Sequence, residues 1–160
     1  MKISILTVCF NSEKTIADTI NSVNSQTYKN IEHIFVDGGS EDNTIKILKK
    51  NPNKKKKLFI KKKTSIYEAM NEGIKKAKGI FIMILNSDDI LNSNTIIEEI
   101  VKKIKKSPNH DVFLGDVTYF SYNNYNRIKR FYEASNLRVK NLLNGDMPPH
   151  PASFIKKKYK

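Results

Sequence analysis

The run Ile80-Phe81-Ile82-Met83-Ile84-Leu85 constrains this chain more than any other stretch, because six consecutive apolar residues cannot form an element with one solvated face. It is far shorter than the roughly 20 residues that cross a bilayer. Its isoleucine and phenylalanine content suits a strand buried on both faces of a parallel sheet. The run stops abruptly at Asn86-Ser87-Asp88-Asp89. In open α/β sheets the ligand crevice lies beyond the carboxyl ends of such strands, so two carboxylates there are aimed at whatever the sheet binds. Hard oxygen ligands at a strand end suit magnesium or manganese, and such an ion could hold a substrate's diphosphate. The same four residues also suit a turn followed by a helix cap, so the tetrad alone leaves both readings open.

The flanking sequence repeats the pattern of a buried strand, a polar stop and a helix. Ile3 to Cys9 reads as a strand closed by Phe10-Asn11-Ser12, with a cap at Asn11 or Ser12 opening a helix whose inward residues are Ile16, Ile20 and Val23. Ile31 to Val36 is a second strand ending at Asp37-Gly38-Gly39-Ser40, where the glycines permit a sharp turn or close approach of a ligand. A helix from about Glu41 follows, with Ile45 and Leu48 inward, and Leu58-Phe59-Ile60 fits an edge strand. Ile66, Ala69, Met70, Gly73, Ile74 and Ala77 fall on one helical face, and Gly79 is placed to close that helix. After the tetrad, Ser93-Asn94-Thr95 caps a helix with Ile97, Ile100, Val101 and Ile104 inward. Asp111 to Leu114 makes a short strand, and the stretch from Arg127 to Asn144 is predicted to be partly helical.

This alternation gives an α/β fold, a mostly parallel sheet with helices on both faces, within one 160-residue domain. Its strand ends can bring Phe10, Asp37 and the tetrad to one edge, which is a nucleotide site by content. The aromatic could stack on a base, Asp37 could accept from ribose or base, and the acidic pair could take a metal and its phosphate. Neither G-x-G-x-x-G nor a P-loop is present.

The formal net charge of +13 is carried mostly by lysine, the only arginines being Arg127, Arg130 and Arg138. Lysine gives diffuse attraction to polyanions rather than bidentate reading of bases, and no recognition helix or RNA-binding motif occurs, so no nucleic acid partner is expected. From Lys46 to Lys63 there are ten lysines and no acid, which fits a solvated loop or contact with anionic lipid headgroups or a charged substrate. Cys9, the only cysteine, lies in an apolar strand and reads as a buried, inert thiol. His33 and His110 read as surface or structural residues. No signal peptide or spanning segment is visible, so the expected location is cytoplasmic or peripheral at the inner face of a membrane.

Five ordered blocks carry a family resemblance: residues 4–11, 26–32, 35–44, 66–74 and 85–89, among them Val8-Cys9-Phe10-Asn11, Phe35-Val36-Asp37-Gly38-Gly39-Ser40, Ile66-Tyr67-Glu68-Ala69-Met70-Asn71 and Leu85-Asn86-Ser87-Asp88-Asp89. Together they resemble the family 2 glycosyltransferases, which have the GT-A fold and use nucleotide-diphosphate sugars as donors. His150-Pro151-Ala152-Ser153-Phe154 is similar to a later, acceptor-side block. The resemblance implies a donor-binding portion over 1–116 and part of an acceptor-side portion over 117–160. It puts Val8, through its backbone, and Phe10 against the base, with Asp37 on base or ribose. Asn86-Ser87-Asp88 becomes a variant D-x-D motif, with Asp88 as metal ligand beside Asp89 and with manganese or magnesium as the implied cofactor. His150 is placed on the acceptor side. The implied reaction is inverting transfer to a saccharide or lipid-linked acceptor in surface polysaccharide or glycolipid synthesis. Two features depart from the pattern. Lys63-Thr64-Ser65 stands where the family commonly has Asp-x-Gly. The family's general base usually lies beyond the His-Pro-Ala block, so the resemblance puts it beyond Lys160 and assigns it to none of the later carboxylates Asp116, Glu133 and Asp146. The alternative implied by these departures is a catalytically incomplete nucleotide-sugar-binding fragment.

Overall fold

The computed structural model describes residues 1–53, 56–121 and 124–158. Strand β1 (Ile3–Cys9) is buried along its whole length. It pairs in parallel with β2 (Ile31–Asp37) on one side and with β4 (Phe81–Ile84) on the other, while β3 (Lys56–Ile60) adds in parallel outside β2. Beyond β4 the direction reverses. Strand β8 (Ser153–Lys156) runs antiparallel to both β4 and β5 (Val112–Leu114), giving the order β3-β2-β1-β4-β8-β5. A separate antiparallel ribbon is formed by β6 (Val117–Ser121) and β7 (Asn124–Tyr132).

Alternation along the strands divides the core. On one face, Ile3, Ile5, Phe81 and Met83 pack against Val23 of α1 (Ile16–Asn24) and Ile97, Ile100, Val101 and Ile104 of α4 (Ile96–Lys106). Cys9 and Phe35 continue that face against Ile16, Ile20 and Leu48, the last on α2 (Thr44–Lys50). On the other face, Leu6, Val8, Ile34 and Val36 pack against Ala69 of α3 (Ile66–Lys76). Burial and the adjacent Asp37 carboxylate push the Cys9 thiol well above its usual range, which agrees with an inert core role.

Local signals differ from the sequence expectations at several points, each for a physical reason. Helix α1 begins at Ile16 without a side-chain cap, because Asn11 is drawn across to Glu41, whose amide donates to Asn11 Oδ1 at 2.9 Å. Ile66 is exposed although it shares the helical stripe, since α3 meets the sheet mainly through Ala69 and Gly73. Its start is set by a capping box between Ser65 and Glu68. Gly79 does not close α3, which ends at Lys76. A Cβ at Gly79 would stand 2.5 Å from Ser4 N, so glycine is required for the backbone to pass over β1. The stretch predicted to be partly helical supplies strand β7 first and only then the short helix α5 (Val139–Leu142). The amide of Ile97, near the start of α4, donates to the buried side chain of Gln26 at 3.1 Å, so the cap comes from a distant residue.

Glu32 and His33 are among the polar side chains buried in the fold. Glu32 on β2 accepts from Ser4 Oγ at 2.7 Å and Lys57 Nζ at 2.5 Å, and from the Lys78 amide. Burial raises its pKa, but these donors outweigh it and hold the carboxylate below its usual range. His33, expected to be surface or structural, is wholly buried, with Nε2 2.9 Å from Thr7 Oγ1 and its ring 3.9 Å from that of Phe35. Burial lowers its pKa from 6.5 to about 3.

Gly79→Ala should destabilise the chain by about 2–3 kcal/mol, read as a lower urea midpoint at unchanged slope, because the added methyl collides with strand backbone rather than a movable side chain. Below pH 6.5 the unfolded chain binds a proton that folded His33 excludes. Stability should therefore fall with decreasing pH by up to about 1.4 kcal/mol per unit between roughly pH 6 and 4.5, above the range where most carboxylates titrate. Equilibrium unfolding of His33→Gln should lack this slope.

Candidate functional site

The parallel pairing of β3, β2, β1 and β4 delivers four carboxyl ends to one rim. Register sets their level: Cys9 pairs with Asp37, Asp37 with Ile60, and Leu6 with Ile84. Backbone bonds then lock the first residues beyond the strands, from Gly38 N to Cys9 O at 2.8 Å, Lys61 N to Asp37 O at 2.8 Å and Leu85 N to Leu6 O at 2.9 Å. Phe10, Asp37 and the acidic tetrad therefore share the rim on which the nucleotide reading depends.

At the β1 end, Val8 is buried, its side chain packed in the core. Phe10 is 64% exposed. Its ring lies over the next loop, where a Cβ at Gly38 would come within 3.4 Å of Phe10 Cδ2. Asn11 takes a left-handed backbone, with φ of 49°, and its amide donates to Ser40 Oγ at 2.9 Å. The β1 and β2 loops are thus tied together beside the exposed ring.

Asp37, expected on base or ribose, is wholly buried. One carboxylate oxygen accepts from Gly39 N at 2.9 Å and Ser40 N at 2.7 Å, and the other accepts from Ser40 Oγ at 2.7 Å. The carboxylate is spent on shaping the loop, which Gly39 completes with a φ of +96° that other residues rarely adopt.

The four residues of the tetrad differ in their surroundings. Asn86 donates through Nδ2 to Asp89 Oδ2 at 2.9 Å, and Asp89 N returns a bond to Asn86 O at 3.1 Å. Ser87 faces α1, with its carbonyl accepting from Thr19 Oγ1 at 3.0 Å. Asp88 is exposed, and its carboxylate makes no hydrogen bond or ion pair among the described residues. Burial and the charge of Asp88 raise the pKa of Asp89, while Asn86 and His150 oppose that rise. One carboxylate is anchored and the other presented.

The antiparallel β8 explains how His150 reaches this place. Its first residue lies level with the carboxyl ends of its neighbours, Leu114 pairing with Ser153 and Met83 with Phe154. The preceding 3-10 turn, His150–Ala152, then sits at the rim, with His150 Nε2 3.4 Å from Asn86 Nδ2. At the other end of the rim, Lys62 packs where a Cβ of Gly39 would fall, and exposed Lys63 has a φ of 56°. Of the basic run, Lys56 donates to the Leu48 and Lys49 carbonyls at the end of α2, and Lys57 pairs with Glu32. Lys54 and Lys55 lie outside the described residues. So do Tyr159 and Lys160. Among the later carboxylates, Asp116 accepts from the Ala134 amide at 2.9 Å, and Glu133 accepts from Ser135 Oγ at 2.9 Å and Asn136 Nδ2 at 3.1 Å, so both serve the turn that follows the ribbon.

An open cleft of about 520 Å³ runs between Asn11, Ser12, Glu13, Lys14 and Thr15 on one side and Ser87 and Asp88 on the other. Among the described residues, no cluster of three His, Cys, Asp or Glu side chains could enclose a cation. An exposed carboxylate beside an anchored one still fits magnesium or manganese, which takes one or two protein carboxylates and completes its shell with phosphate and water. Sequence reasoning missed Thr19, Thr44 and Ser40, whose buried or loop hydroxyls hold the rim together. Their only sequence signal is a polar residue at a position that helical or strand periodicity buries.

The sequence profile of Glycosyl transferase family 2 matches residues 4–160. Glycosyltransferase GlyG of Streptococcus pneumoniae serotype 4 is 30% identical over 165 aligned residues, covering 96% of this chain and 54% of that protein. Poly-beta-1,6-N-acetyl-D-glucosamine synthase of Staphylococcus epidermidis is 34% identical over 119 residues, 72% of this chain and 27% of the synthase. The chain thus spans about half the length of the first relative and less of the second. Among solved structures, S. aureus TarS 1-349 in complex with UDP-GlcNAc aligns with a TM-score of 0.66 and 29% identity, over 71% of this chain and 34% of that one. Mannosyltransferase PcManGT from Pyrobaculum calidifontis, 18% identical with a TM-score of 0.64 over 69% of this chain and 34% of that one, shares the fold.

Proposed function

Given that the chain belongs to glycosyl transferase family 2 and has a GT-A type fold, we propose that it binds a nucleotide-diphosphate sugar and transfers the sugar, with inversion, to an acceptor hydroxyl. The observation that carries this reading is that an exposed aromatic directly after β1 and an exposed carboxylate after β4 share one rim, the carboxylate lining a cleft whose other wall begins at Asn11, next to the aromatic. Phe10 stacks on the base, with the Val8 backbone beneath it. Asp37 serves that end by fixing the loop against which the ring lies, rather than by touching the nucleoside directly. A uridine nucleotide is the first donor to test, because TarS is described in complex with UDP-GlcNAc and with UDP.

Asp88, with Asp89 beside it, would hold the divalent cation, and Asn86 and Ser87 set the turn that presents them. A magnesium or manganese ion there supplies positive charge that offsets the charge building on the departing diphosphate. In the reaction, the acceptor oxygen forms a bond to the anomeric carbon as the bond from that carbon to the diphosphate oxygen breaks. The bonding pair leaves with the nucleoside diphosphate, and the hydroxyl proton passes to a base. His150 stands next to Asn86, where the acceptor side of the cleft begins. The acceptor proposed is a saccharide or lipid-linked saccharide of surface polysaccharide assembly, supported by the N-acetylglucosamine polymer synthase among the relatives. The basic stretch from Lys46 to Lys63 would add contact with an anionic membrane surface through the lysines that the fold does not engage.

UDP-GlcNAc with manganese should raise the melting temperature of the chain, and Asp88→Ala should abolish the manganese-dependent part of that shift. An undiminished shift in the variant would rule out the metal assignment. Phe10→Ala should weaken UDP binding by about 1–3 kcal/mol in titration calorimetry, the usual worth of one base stacked on an aromatic ring. Sugar transfer or donor hydrolysis by the 160-residue chain would exclude a purely binding role.

A further inference from the structure

The turn that carries Asp88 is held from one side by α1. Thr19, wholly buried on that helix, donates its hydroxyl to the Ser87 carbonyl at 3.0 Å. The Ser12 and Ser87 hydroxyls lie 2.8 Å apart. Ser12 carries one hydroxyl proton, and its other neighbour, 3.2 Å away, is the Phe10 carbonyl, which can only accept. Ser12 therefore donates to Phe10 and accepts from Ser87. The Ser12 amide in turn donates at 2.7 Å to Oγ1 of Thr44, the buried first residue of α2. A polar strut thus crosses the three loops that follow β1, β2 and β4, and it runs from the backbone of the exposed aromatic to the acidic turn.

We propose that Thr19 and Ser12 are positioning residues for the cation and its diphosphate, Thr19 acting through the Ser87–Asp88 peptide and Ser12 through the Ser87 hydroxyl; the proposal rests on Asp88 being the metal ligand. The peptide unit is planar, so a bond that fixes the Ser87 carbonyl oxygen also fixes the Asp88 amide and the direction in which its Cα leaves. Among the described residues the Asp88 carboxylate has no hydrogen bond or ion pair to hold it, whereas Asp89 is anchored by Asn86. The place from which the exposed carboxylate projects is therefore set by the Asn86–Asp89 turn together with α1, whose own position is fixed by Ile16, Ile20 and Val23 in the core. Because Ser12 also bonds the Phe10 carbonyl, the same strut sets the spacing between the base end and the diphosphate end of the cleft. A ligand set held in advance loses less freedom on binding, which is how partners behind a metal ligand raise affinity.

Thr19→Val keeps the side-chain shape and removes the hydroxyl. It should weaken manganese-dependent UDP binding by about tenfold in titration calorimetry, while uridine without metal, followed by NMR titration, stays within about twofold of the wild type. Thr19→Ser, which retains the donor, should restore the manganese-dependent affinity. Ser12→Ala should act in the same direction as Thr19→Val and serves as the second variant should the valine form not fold. UDP and manganese binding like the wild type in both variants, or a parallel loss of uridine, would overturn the inference while leaving the metal site standing. A wild-type chain that binds UDP equally with and without manganese would instead overturn the Asp88 reading, and this inference with it.

Discussion

Register between β1 and β2 is the constraint on which the rim depends. A slip of one residue would exchange the faces of every side chain on the strand. Glu32 makes any other register costly. Its carboxylate is buried opposite Ser4, and its remaining donors come from Lys57 on β3 and from the backbone of Lys78. A buried carboxylate without these partners costs several kcal/mol, so only the observed pairing satisfies it. The group sits near the start of the strands, yet its effect appears at their far end. With Ser4 level with Glu32, Cys9 is level with Asp37, and the two loops emerge side by side.

At that far end the acidic groups take different parts according to their surroundings. Asp37 is fully enclosed and organises backbone, Asp89 is partly enclosed and bonded to Asn86, and Asp88 is exposed. The lysine excess is divided in the same way. Lys56 and Lys57 serve as internal cations for α2 and Glu32, and Lys61 pairs with Glu72 at 3.6 Å, while Lys63 is exposed at the rim. Counting charges in the sequence treats these groups as equivalent; burial decides which of them can meet an anionic ligand.

What the sequence disclosed was what short-range pattern controls. The buried strands at Ile3–Cys9, Ile31–Asp37 and Phe81–Ile84 and the inward residues of α1 and α4 follow from apolar periodicity, and the strand ends that form the rim follow with them. Features settled by long-range partners were hidden. Asn11 resembles a helix cap but is claimed by Glu41; Gln26 has no local reason to be buried but caps α4 from the end of the neighbouring α1, 71 residues away in the sequence. Nothing in the sequence shows that three donors of its own loop surround the Asp37 carboxylate. His33 carried no sign of burial, since a strand with both faces covered has no polar side on which to place it. The reversed direction of β8 was equally hidden, because a short apolar strand reads alike in either direction.

The antiparallel insertion of β8 has a consequence for how the chain is made. Among the described residues strand β5 pairs with β8 alone, which is synthesised some forty residues later, and the open edge of β4 waits for the same segment. While the ribosome is still adding residues 115–152, Phe113 and the outer side of Phe81 lack the Phe154 that later joins their cluster. The nascent chain therefore carries an unzipped β edge flanked by aromatic surface until translation has passed that point. Such an interval is where a chaperone, or a neighbouring nascent chain, would find its most accessible hold.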